Sequence, residues 1–246
     1  MLKHLQDSAF VRETLPTERA DVWIVPLSVG SDQADRLWES LSPDERNRAE
    51  RFAFDRDRRR YVVGRGALRA ILASYLGGLP GSIRFTYGEH GKPMLSESTG
   101  AGAVEFNASG SDDLAVCAVT LGRKVGVDIE RCRPANDDAL VEQCFSPAER
   151  HAYQALSPNE RPAVFYRLWT LKEAYLKATG HGLSRPLSSL EVSFVPGEPA
   201  QLLADHLFPD GRESWTFVEF APGPEYVGAL VVAGQGRPVH YRHWSP

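Results

Sequence analysis

Two acidic residues near the middle of the chain have the spacing of a site that binds a divalent cation. Val127 and Ile129 are predicted to point to one side of a strand, so Asp128 and Glu130 point to the other, roughly 7 Å apart along it. Adjacent carboxylates on a mostly apolar strand repel each other. Mg²⁺ relieves that repulsion, because it takes carboxylate oxygens and keeps positions for water and phosphate. The alternative interpretation is an edge strand whose polar face lies in solvent.

A second charged pair, Glu173 and Lys177, lies one helical turn apart and about forty residues further along the chain. Glu173 falls opposite the centre of the apolar stripe of a predicted helix, at the edge of packed surface. The stripe consists of residues that recur at alternating steps of four and three: Val164, Leu168, Leu171, Tyr175 and Ala178. An ordinary Glu–Lys pair on a helix surface has the same spacing. Helix geometry alone does not decide between an ordinary surface pair and a pair with a catalytic role.

The composition narrows the class of protein that holds these residues. A chain of 246 residues with 42% hydrophobic and 24% charged residues is typical of a soluble globular protein. Its net charge of -4 argues against a general nucleic-acid binder, whose binding surface would be basic. We find no apolar run long enough to span a membrane and no apolar core of a signal peptide. Three scattered cysteines do not make a disulfide framework, so we expect a cytoplasmic protein.

Two stretches with the same helix-start pattern divide the chain into similar halves. Ser42–Glu45 and Ser146–Glu149 each combine an N-cap serine, a proline at the first helical position and a glutamate three residues on. Each is followed by a long helix, which is predicted at Asp57–Leu76 in the first half, and then by a group of strands. We therefore predict an α+β fold of two similar α/β halves, residues 1–122 and 123–246, related by pseudo-two-fold symmetry with the active site in the cleft between them.

Apolar and alternating segments predict the strands of both halves: Asp21–Leu27, Ile83–Tyr87, Val104–Phe106, Leu114–Thr120, Leu190–Val195, Ser214–Phe220, Tyr226–Val232 and Pro238–Trp244. Between two of these strands, Asn107–Ser111 is predicted to be a small polar turn. Gly91-Lys92-Pro93 predicts a tight turn that exposes an ammonium group. A single lysine in a turn is more often a surface residue without a specific function.

A basic run in the first half has two interpretations. Arg56, Arg58, Arg59 and Arg60 follow one another closely, with Asp55 and Asp57 beside them. Such a run is either a solvated face with acidic neighbours or an anion site, because arginine forks match phosphate oxygens.

The combined motifs resemble one family. Gly126–Glu130 followed by Trp169–Lys177 closely resembles the signature of 4′-phosphopantetheinyl transferases, and in particular of the larger, pseudo-dimeric type that serves peptide and polyketide synthetases. Further segments resemble other motifs of the same family: Ser42–Phe54, Gly91–Pro93, Phe106–Ser109 and Gly180–Leu187. The resemblance covers roughly residues 40 to 190.

The resemblance implies a reaction and a metal site. Enzymes of this family move the phosphopantetheine arm of coenzyme A onto a serine of an acyl or peptidyl carrier protein and release 3′,5′-ADP. Asp128, Glu130 and Glu173 would hold Mg²⁺, or Mn²⁺ in its place, against the pyrophosphate. Lys177 would neutralise charge as the bridging oxygen leaves, and Glu173, directly or through a metal-bound water, would accept the serine proton. Asp128, Glu173 and Lys177 are thus the predicted catalytic residues.

The resemblance also assigns residues that contact coenzyme A: Arg48, Gly91, Lys92, Asn107, Ser109, Lys172 and Lys177. Of these, Arg48, Lys92 and Ser109 match positions that contact the nucleotide and its phosphates. The carrier protein would dock around Phe145–Leu156, although the apolar residues there fit a core equally well. Two halves in one chain already form a cleft, so we expect a monomer that binds neither nucleic acid nor membranes.

Two positions depart from the family pattern. Gly110 stands where the family usually has histidine, and Glu45 stands where some relatives carry lysine. Each departure removes a side chain that would contact the 3′-phosphate of coenzyme A. His90 or one of the arginines of the basic run would substitute for it. Two other functions are weighed against transfer. A non-catalytic module that binds carrier proteins is left open by Gly110, but the retained carboxylates and Lys177 argue against it. A metal-dependent nuclease is disfavoured by the acidic net charge.

Overall fold

The computed structural model describes residues 17–88, 91–99, 102–133, 138–180, 185–194, 198–209, 213–236 and 238–245. The first half of the chain forms β1 (Ala20–Pro26), α1 (Ser31–Ser40), α2 (Pro43–Glu50), α3 (Asp55–Leu76), β2 (Phe85–Tyr87), β3 (Pro93–Leu95), β4 (Val104–Ser111) and β5 (Leu114–Leu121). The second half forms β6 (Val125–Arg131), α4 (Asp138–Cys144), α5 (Pro147–Gln154), α6 (Arg161–Thr179), β7 (Leu190–Val192), β8 (Leu202–Asp205), β9 (Trp215–Phe220), β10 (Tyr226–Ala233) and β11 (Val239–His243). The predicted α+β class is confirmed.

Each half has a long helix packed beside its own antiparallel strands. In the first half, strands in the order β11-β1-β5-β4 form one sheet, and in the second half β6-β10-β9 form another. Helix α3 shares a core with the first sheet that includes Leu68, Leu72 and Phe106. Helix α6 packs on β6 and β10, where Leu171 and Ala229 are fully buried. Each long helix ends at a glycine in the left-handed conformation, as a C-cap requires.

The two halves are joined by an apolar core of their own. Strand β1 and strand β5 contribute Val22 and Val116 to it, and β6 contributes Val127 and Ile129, all of them with no exposed surface. Since this core contains residues of both sheets, apolar burial holds the halves together across the whole length of β6. Among the helices of the described residues, none combines the length and apolar character needed to cross a membrane.

The last strand crosses from the second half to the first. Residues of β11 pair in parallel with β1, from Ala20 beside Val239 to Ile24 beside His243. Trp244, which follows the strand, lies in the core of the first half. The division between residues 122 and 123 stays a prediction, and β11, which lies in the second predicted half, joins the sheet of the first. A parallel pairing of this kind involves distant residues, so local sequence carries no sign of it.

One predicted segment has a different structure, and one strand was missed. Asn107–Ser111 is not a turn but the second part of β4, and the turn between β4 and β5 lies at Asp112, whose φ is 48°. Asn107, Ser109 and Ser111 face β6, so the strand carries small polar residues of the kind that are also common in turns. Strand β8 was not predicted, although it pairs with β7.

Both predicted helix starts hold a buried glutamate that anchors the long helix of the same half. Glu45 accepts a hydrogen bond from the backbone N–H of Ser42 at 2.9 Å and forms ion pairs with Arg65 and Arg69 of α3. The guanidinium of Arg69 also donates to the carbonyl of Ile83 at 2.9 Å. Glu45 therefore has a structural role, and this position does not bind phosphate.

The second half repeats this arrangement with a lysine. Glu149 accepts from the backbone N–H groups of Ser146 at 2.8 Å and Val192 at 2.9 Å, and pairs with Lys172 of α6. The ammonium of Lys172 also donates to the carbonyl of Cys144 at 2.8 Å and to that of Leu187 at 3.1 Å. Neither side chain of this pair is more than 2% exposed. The prediction that Lys172 contacts coenzyme A is therefore corrected: its three protons serve a buried structural pair outside the cleft.

Replacing Lys172 by methionine should lower the free energy of unfolding by about 3 kcal/mol, because the buried carboxylate of Glu149 loses its counter-charge. Chemical denaturation measures this loss. The double variant Lys172→Met/Glu149→Gln should recover part of it, since no buried charge then remains. In the control Lys124→Met, an exposed ion pair with Glu213 is removed, and the change should stay below about 1 kcal/mol. A Lys172→Met protein of unchanged stability would contradict the structural role.

Candidate active site

A cavity of about 400 Å³ opens between the two halves and receives residues from both. The first half supplies the turn before β3 and the polar strand β4, and the second half supplies β6 and the last turns of α6. Its wall contains nearly all of the predicted site residues: Gly91, Lys92, Asn107, Ser109, Asp128, Glu130, Glu173 and Lys177. The predicted cleft between the halves is thus present, and the spacing of the two charged groups brings them together there.

Asp128 and Lys177 meet in the wall of this cavity. The ammonium of Lys177 lies 2.6 Å from Oδ1 of Asp128 and donates to Oγ of Ser109 at 3.0 Å. The hydroxyl of Ser109 in turn donates to the same carboxylate oxygen at 2.7 Å. One residue from each of β4, β6 and α6 therefore meets at a single carboxylate. Asp128 is 3% exposed, and its other oxygen, Oδ2, is buried without a hydrogen bond.

Glu173 lies one turn before Lys177 on α6 and is only 5% exposed. Its Oε1 atom is buried without a hydrogen bond. Burial raises the pKa of Glu173 to about 7, an effect that Lys177 opposes and the nearby charges of Asp128 and Glu130 reinforce. The carboxyl group therefore sits near the point where it exchanges a proton at neutral pH, as a general base requires.

Glu130 lines the same cavity and is held by the opposite strand. The hydroxyl of Ser111 donates to Oε2 of Glu130 at 2.8 Å and accepts from the backbone N–H of Arg131 at 3.1 Å. Burial raises the pKa of Glu130, the Ser111 hydroxyl partly offsets this, and Asp128 adds to it. A cation in the cavity would therefore stabilise the ionised form of Glu130.

The three carboxylates line one cavity without meeting at one point. In the part of the chain that the structure describes, no group of three acidic, histidine or cysteine residues has the arrangement of a metal centre. One oxygen of Asp128 is paired with Lys177, and one oxygen of Glu130 accepts from Ser111. The oxygens of Asp128 and Glu173 that lack hydrogen bonds remain as candidate ligands for a hard cation.

Strand β4 holds β6 through side chains. Asn107 accepts from the backbone N–H of Val127 at 2.9 Å, Ser109 donates to Asp128, and Ser111 donates to Glu130. These residues alternate along β4 and so share one face, which points at β6. Ser111 is a site residue that the sequence analysis missed. The regular alternation of small polar residues along this segment was the signal for a strand with one polar face.

A second cavity, of about 580 Å³, continues from the first on the side of α3. The two cavities share part of their wall: Gly91, Pro93, Ala108, Ser109 and Gly110. Arg48 lines the second cavity with its guanidinium 5.5 Å from the ring centre of Tyr61. Gly110 therefore lies in the wall that the two cavities share.

The basic run does not act as one patch. Arg60 lines the second cavity and pairs with Asp113 at 2.6 Å. Arg58 and Arg59 line a separate cavity beside α1, and Arg56 pairs with its neighbour Asp57. His90, the other residue considered as a substitute for the missing histidine, lies outside the described residues. Of the four arginines in the basic run, Arg60 is the one that lines the cavity next to the cleft.

The predicted docking segment is divided between core and surface. Phe145 and Tyr153 are buried in the core of the second half, so they do not form a docking surface in this structure. Their polar neighbours line a cavity of about 530 Å³ that includes Arg150, His151 and Arg161. These three side chains come from α5 and from the start of α6, and Tyr153 also forms part of the cavity wall.

Comparison with known proteins agrees with the sequence motifs. Residues 124–231 match the model of the 4′-phosphopantetheinyl transferase superfamily, and residues 30–121 match that of the 4′-phosphopantetheinyl transferase N-terminal region. The 4′-phosphopantetheinyl transferase HetI of Nostoc sp. strain PCC 7120 is 38% identical over 232 residues, 94% of each chain. The 4′-phosphopantetheinyl transferase Sfp of Bacillus subtilis strain 168 is 31% identical, covering 68% of this chain and 71% of its own.

The chain belongs to the 4′-phosphopantetheinyl transferase superfamily, and within it to the larger type with two halves in one chain. The family prediction made from the sequence is confirmed. Among solved structures, holo-[acyl-carrier-protein] synthase of Thermotoga maritima matches with a TM-score of 0.37 and 21% identity, covering 46% of this chain and 64% of its own.

Proposed function

We propose that this enzyme transfers the 4′-phosphopantetheine group of coenzyme A to a serine of an acyl or peptidyl carrier protein and releases 3′,5′-ADP. One observation carries the proposal. Asp128 and Lys177 are in contact inside a cleft that Glu173 also lines, and residues of both halves hold them there. Family membership supports the same reaction. Because a single chain supplies both walls of the cleft, we also propose that the enzyme is a monomer.

The cleft suits a hard divalent cation. Oδ2 of Asp128 and Oε1 of Glu173 are buried and lack hydrogen bonds, so each has a lone pair available. Carboxylate oxygens are the ligands that Mg²⁺ and Mn²⁺ prefer, and Glu130 offers a further one on the same wall. When bound, such a cation would supply positive charge against the pyrophosphate of coenzyme A.

The protein's own residues have separate tasks in the transfer. The serine oxygen of the carrier forms a bond to the phosphorus on the pantetheine side, and the bond from that phosphorus to the bridging oxygen breaks. Lys177 places a positive charge where the leaving oxygen develops negative charge. Glu173, which lines the same cleft, takes the serine proton. Ser109 holds the carboxylate of Asp128 and the ammonium of Lys177 in one geometry.

The nucleotide end of coenzyme A has room in the second cavity. Arg48 and Arg60 line it and carry the positive charge that suits phosphate oxygens. Gly110 lies at its junction with the cavity that holds Lys177, so a long substrate can occupy both. We propose that these arginines replace the contact that a histidine at position 110 makes in relatives.

For the carrier protein we propose docking on the charged surface of α5 around Arg150 and His151.

Incubating the protein with coenzyme A, Mg²⁺ and an apo carrier protein should raise the mass of the carrier by one phosphopantetheine group. Mass spectrometry of the intact carrier measures the gain. Asp128→Ala should abolish it, because Lys177 loses its partner and the cation loses a ligand. Asp35→Ala removes an exposed carboxylate from α1 and should leave the rate unchanged. No gain with any of several carriers would refute the proposed reaction, and a gain that survives Asp128→Ala would refute this site.

A further inference from the structure

Lys92 lies across the ends of the two elements that carry the site. Its ammonium donates to the backbone carbonyl of Lys177 at 2.6 Å and to that of Val125 at 3.3 Å. Val125 is the first residue of β6, which carries Asp128. Lys177 is in the last turn of α6. A side chain of the first half therefore bridges two elements of the second half that carry the cleft residues.

The carbonyl groups at the end of α6 make this bridge favourable. The last carbonyls of a helix have no partner within the helix, and the negative end of the helix dipole attracts a cation. The backbone N–H of Gly180 donates to the carbonyl of Leu176 at 3.0 Å, and the ammonium of Lys92 donates to the next carbonyl along, that of Lys177. A hydrogen bond from a charged donor is stronger than one between neutral groups. Lys92 therefore restrains the residue whose own ammonium faces Asp128.

The turn before β3 holds Lys92 in place. Gly91 has a φ of 76°, a conformation that favours glycine, and the backbone N–H of Gly88 donates to the carbonyl of Lys92 at 3.0 Å. Pro93 follows and restricts the backbone of Lys92 to extended conformations. Gly91 and Pro93 thus restrict the backbone that carries this ammonium on both sides. Two of its three protons are already given to backbone carbonyls, which leaves it poorly placed to act mainly as a phosphate ligand.

We propose that Lys92 is a positioning residue, whose ammonium fixes the end of α6 against the start of β6 and so keeps Lys177 facing Asp128. This assignment differs from the one that the family resemblance implies, in which Lys92 contacts the nucleotide. It rests on the proposed transfer reaction for its kinetic test. It also predicts a local change in α6 that is measurable without any turnover.

The kinetic test compares Lys92→Met with the wild-type protein. Methionine keeps the length of the side chain and removes the ammonium. We expect kcat for carrier modification to fall by about tenfold to a hundredfold while KM for coenzyme A stays within about twofold, because a small displacement of reacting groups lowers the rate of the bound complex. Lys92→Arg, which keeps a cationic donor, should recover part of kcat. Lys124→Met removes an exposed positive charge and should change neither constant by more than about twofold.

Hydrogen exchange of the free protein supplies the readout that needs no substrate. In Lys92→Met the amides of the last turn of α6 should exchange about tenfold faster, while those of α3 keep their rates. A large rise in KM with unchanged kcat and unchanged exchange would show that Lys92 binds the nucleotide, and would overturn the proposal. If the wild-type protein modifies no carrier, the transfer reaction fails, and unchanged exchange in Lys92→Met would still refute the positioning role on its own.

Discussion

Replacing Glu173 by glutamine should reduce carrier modification by about 10²- to 10⁴-fold and, at the same time, stabilise the protein at pH 8 in the absence of divalent cations. The loss of activity follows from the removal of the group that takes the serine proton. The gain in stability follows from burial, which makes the ionised carboxylate unfavourable in the folded state. Opposite effects on activity and stability are typical of a functional residue held in an unfavourable environment.

The pH dependence of this gain has a definite sign. The pKa of Glu173 is about 7 in the folded protein, against 4.5 for a solvated glutamate side chain, so the folded state holds a proton between these pH values that the unfolded state releases. Wild-type stability therefore falls as pH rises through this window, and glutamine, which does not titrate, lacks that contribution. The advantage of the variant should be absent below about pH 4.5, grow up to about pH 7 and reach roughly 3 kcal/mol at most.

Urea denaturation of both proteins between pH 4 and pH 8, in the presence of a chelator, measures the difference. Glu149→Gln is the matched control, since Glu149 is equally buried but paired with Lys172, and its replacement should destabilise the protein. Adding Mg²⁺ should then stabilise the wild-type protein more than Glu173→Gln, because the variant has lost a ligand. A Glu173→Gln protein that is less stable than wild type at pH 8 would contradict the buried, unpaired state of this carboxyl group.

Replacing Gly126 by alanine should lower the free energy of unfolding by about 3 to 5 kcal/mol and remove activity from whatever protein remains folded. A Cβ atom at this position would lie 2.0 Å from the carbonyl oxygen of Ala174 and 2.4 Å from the backbone nitrogen of Ala178. Both are backbone atoms of α6, so the clash is relieved only if the helix moves away from β6. That movement would separate Glu173 and Lys177 from Asp128.

Denaturation and the carrier assay together test this prediction. Gly236→Ala is the control, because a Cβ there has no neighbour within 4 Å, and we expect a change below about 0.5 kcal/mol. A Gly126→Ala protein with both wild-type stability and wild-type activity would mean that α6 and β6 are not in direct backbone contact. A stable but inactive variant would place the effect in the geometry of the site alone.

The sequence by itself determined β6 and α6 and the faces on which their charged site residues lie. The alternation around Asp128 and Glu130 predicted β6, and the spacing of apolar residues around Glu173 predicted α6. These periods follow from the pleat of a strand and the turn of a helix, which are local properties of the backbone. The helix starts at Ser42 and Ser146 were likewise readable, because caps involve neighbours in sequence.

Only the tertiary structure decided what covers each face. Lys172 and Lys177 lie on the same helix, yet one is buried against Glu149 and the other reaches Asp128 in the cleft. The segment Asn107–Ser111 has the composition of a turn and becomes a strand because its polar side chains meet β6. Strand β11 joins β1 from the far end of the chain. In each case the partner is distant in sequence, and local patterns specify a surface without specifying what packs against it.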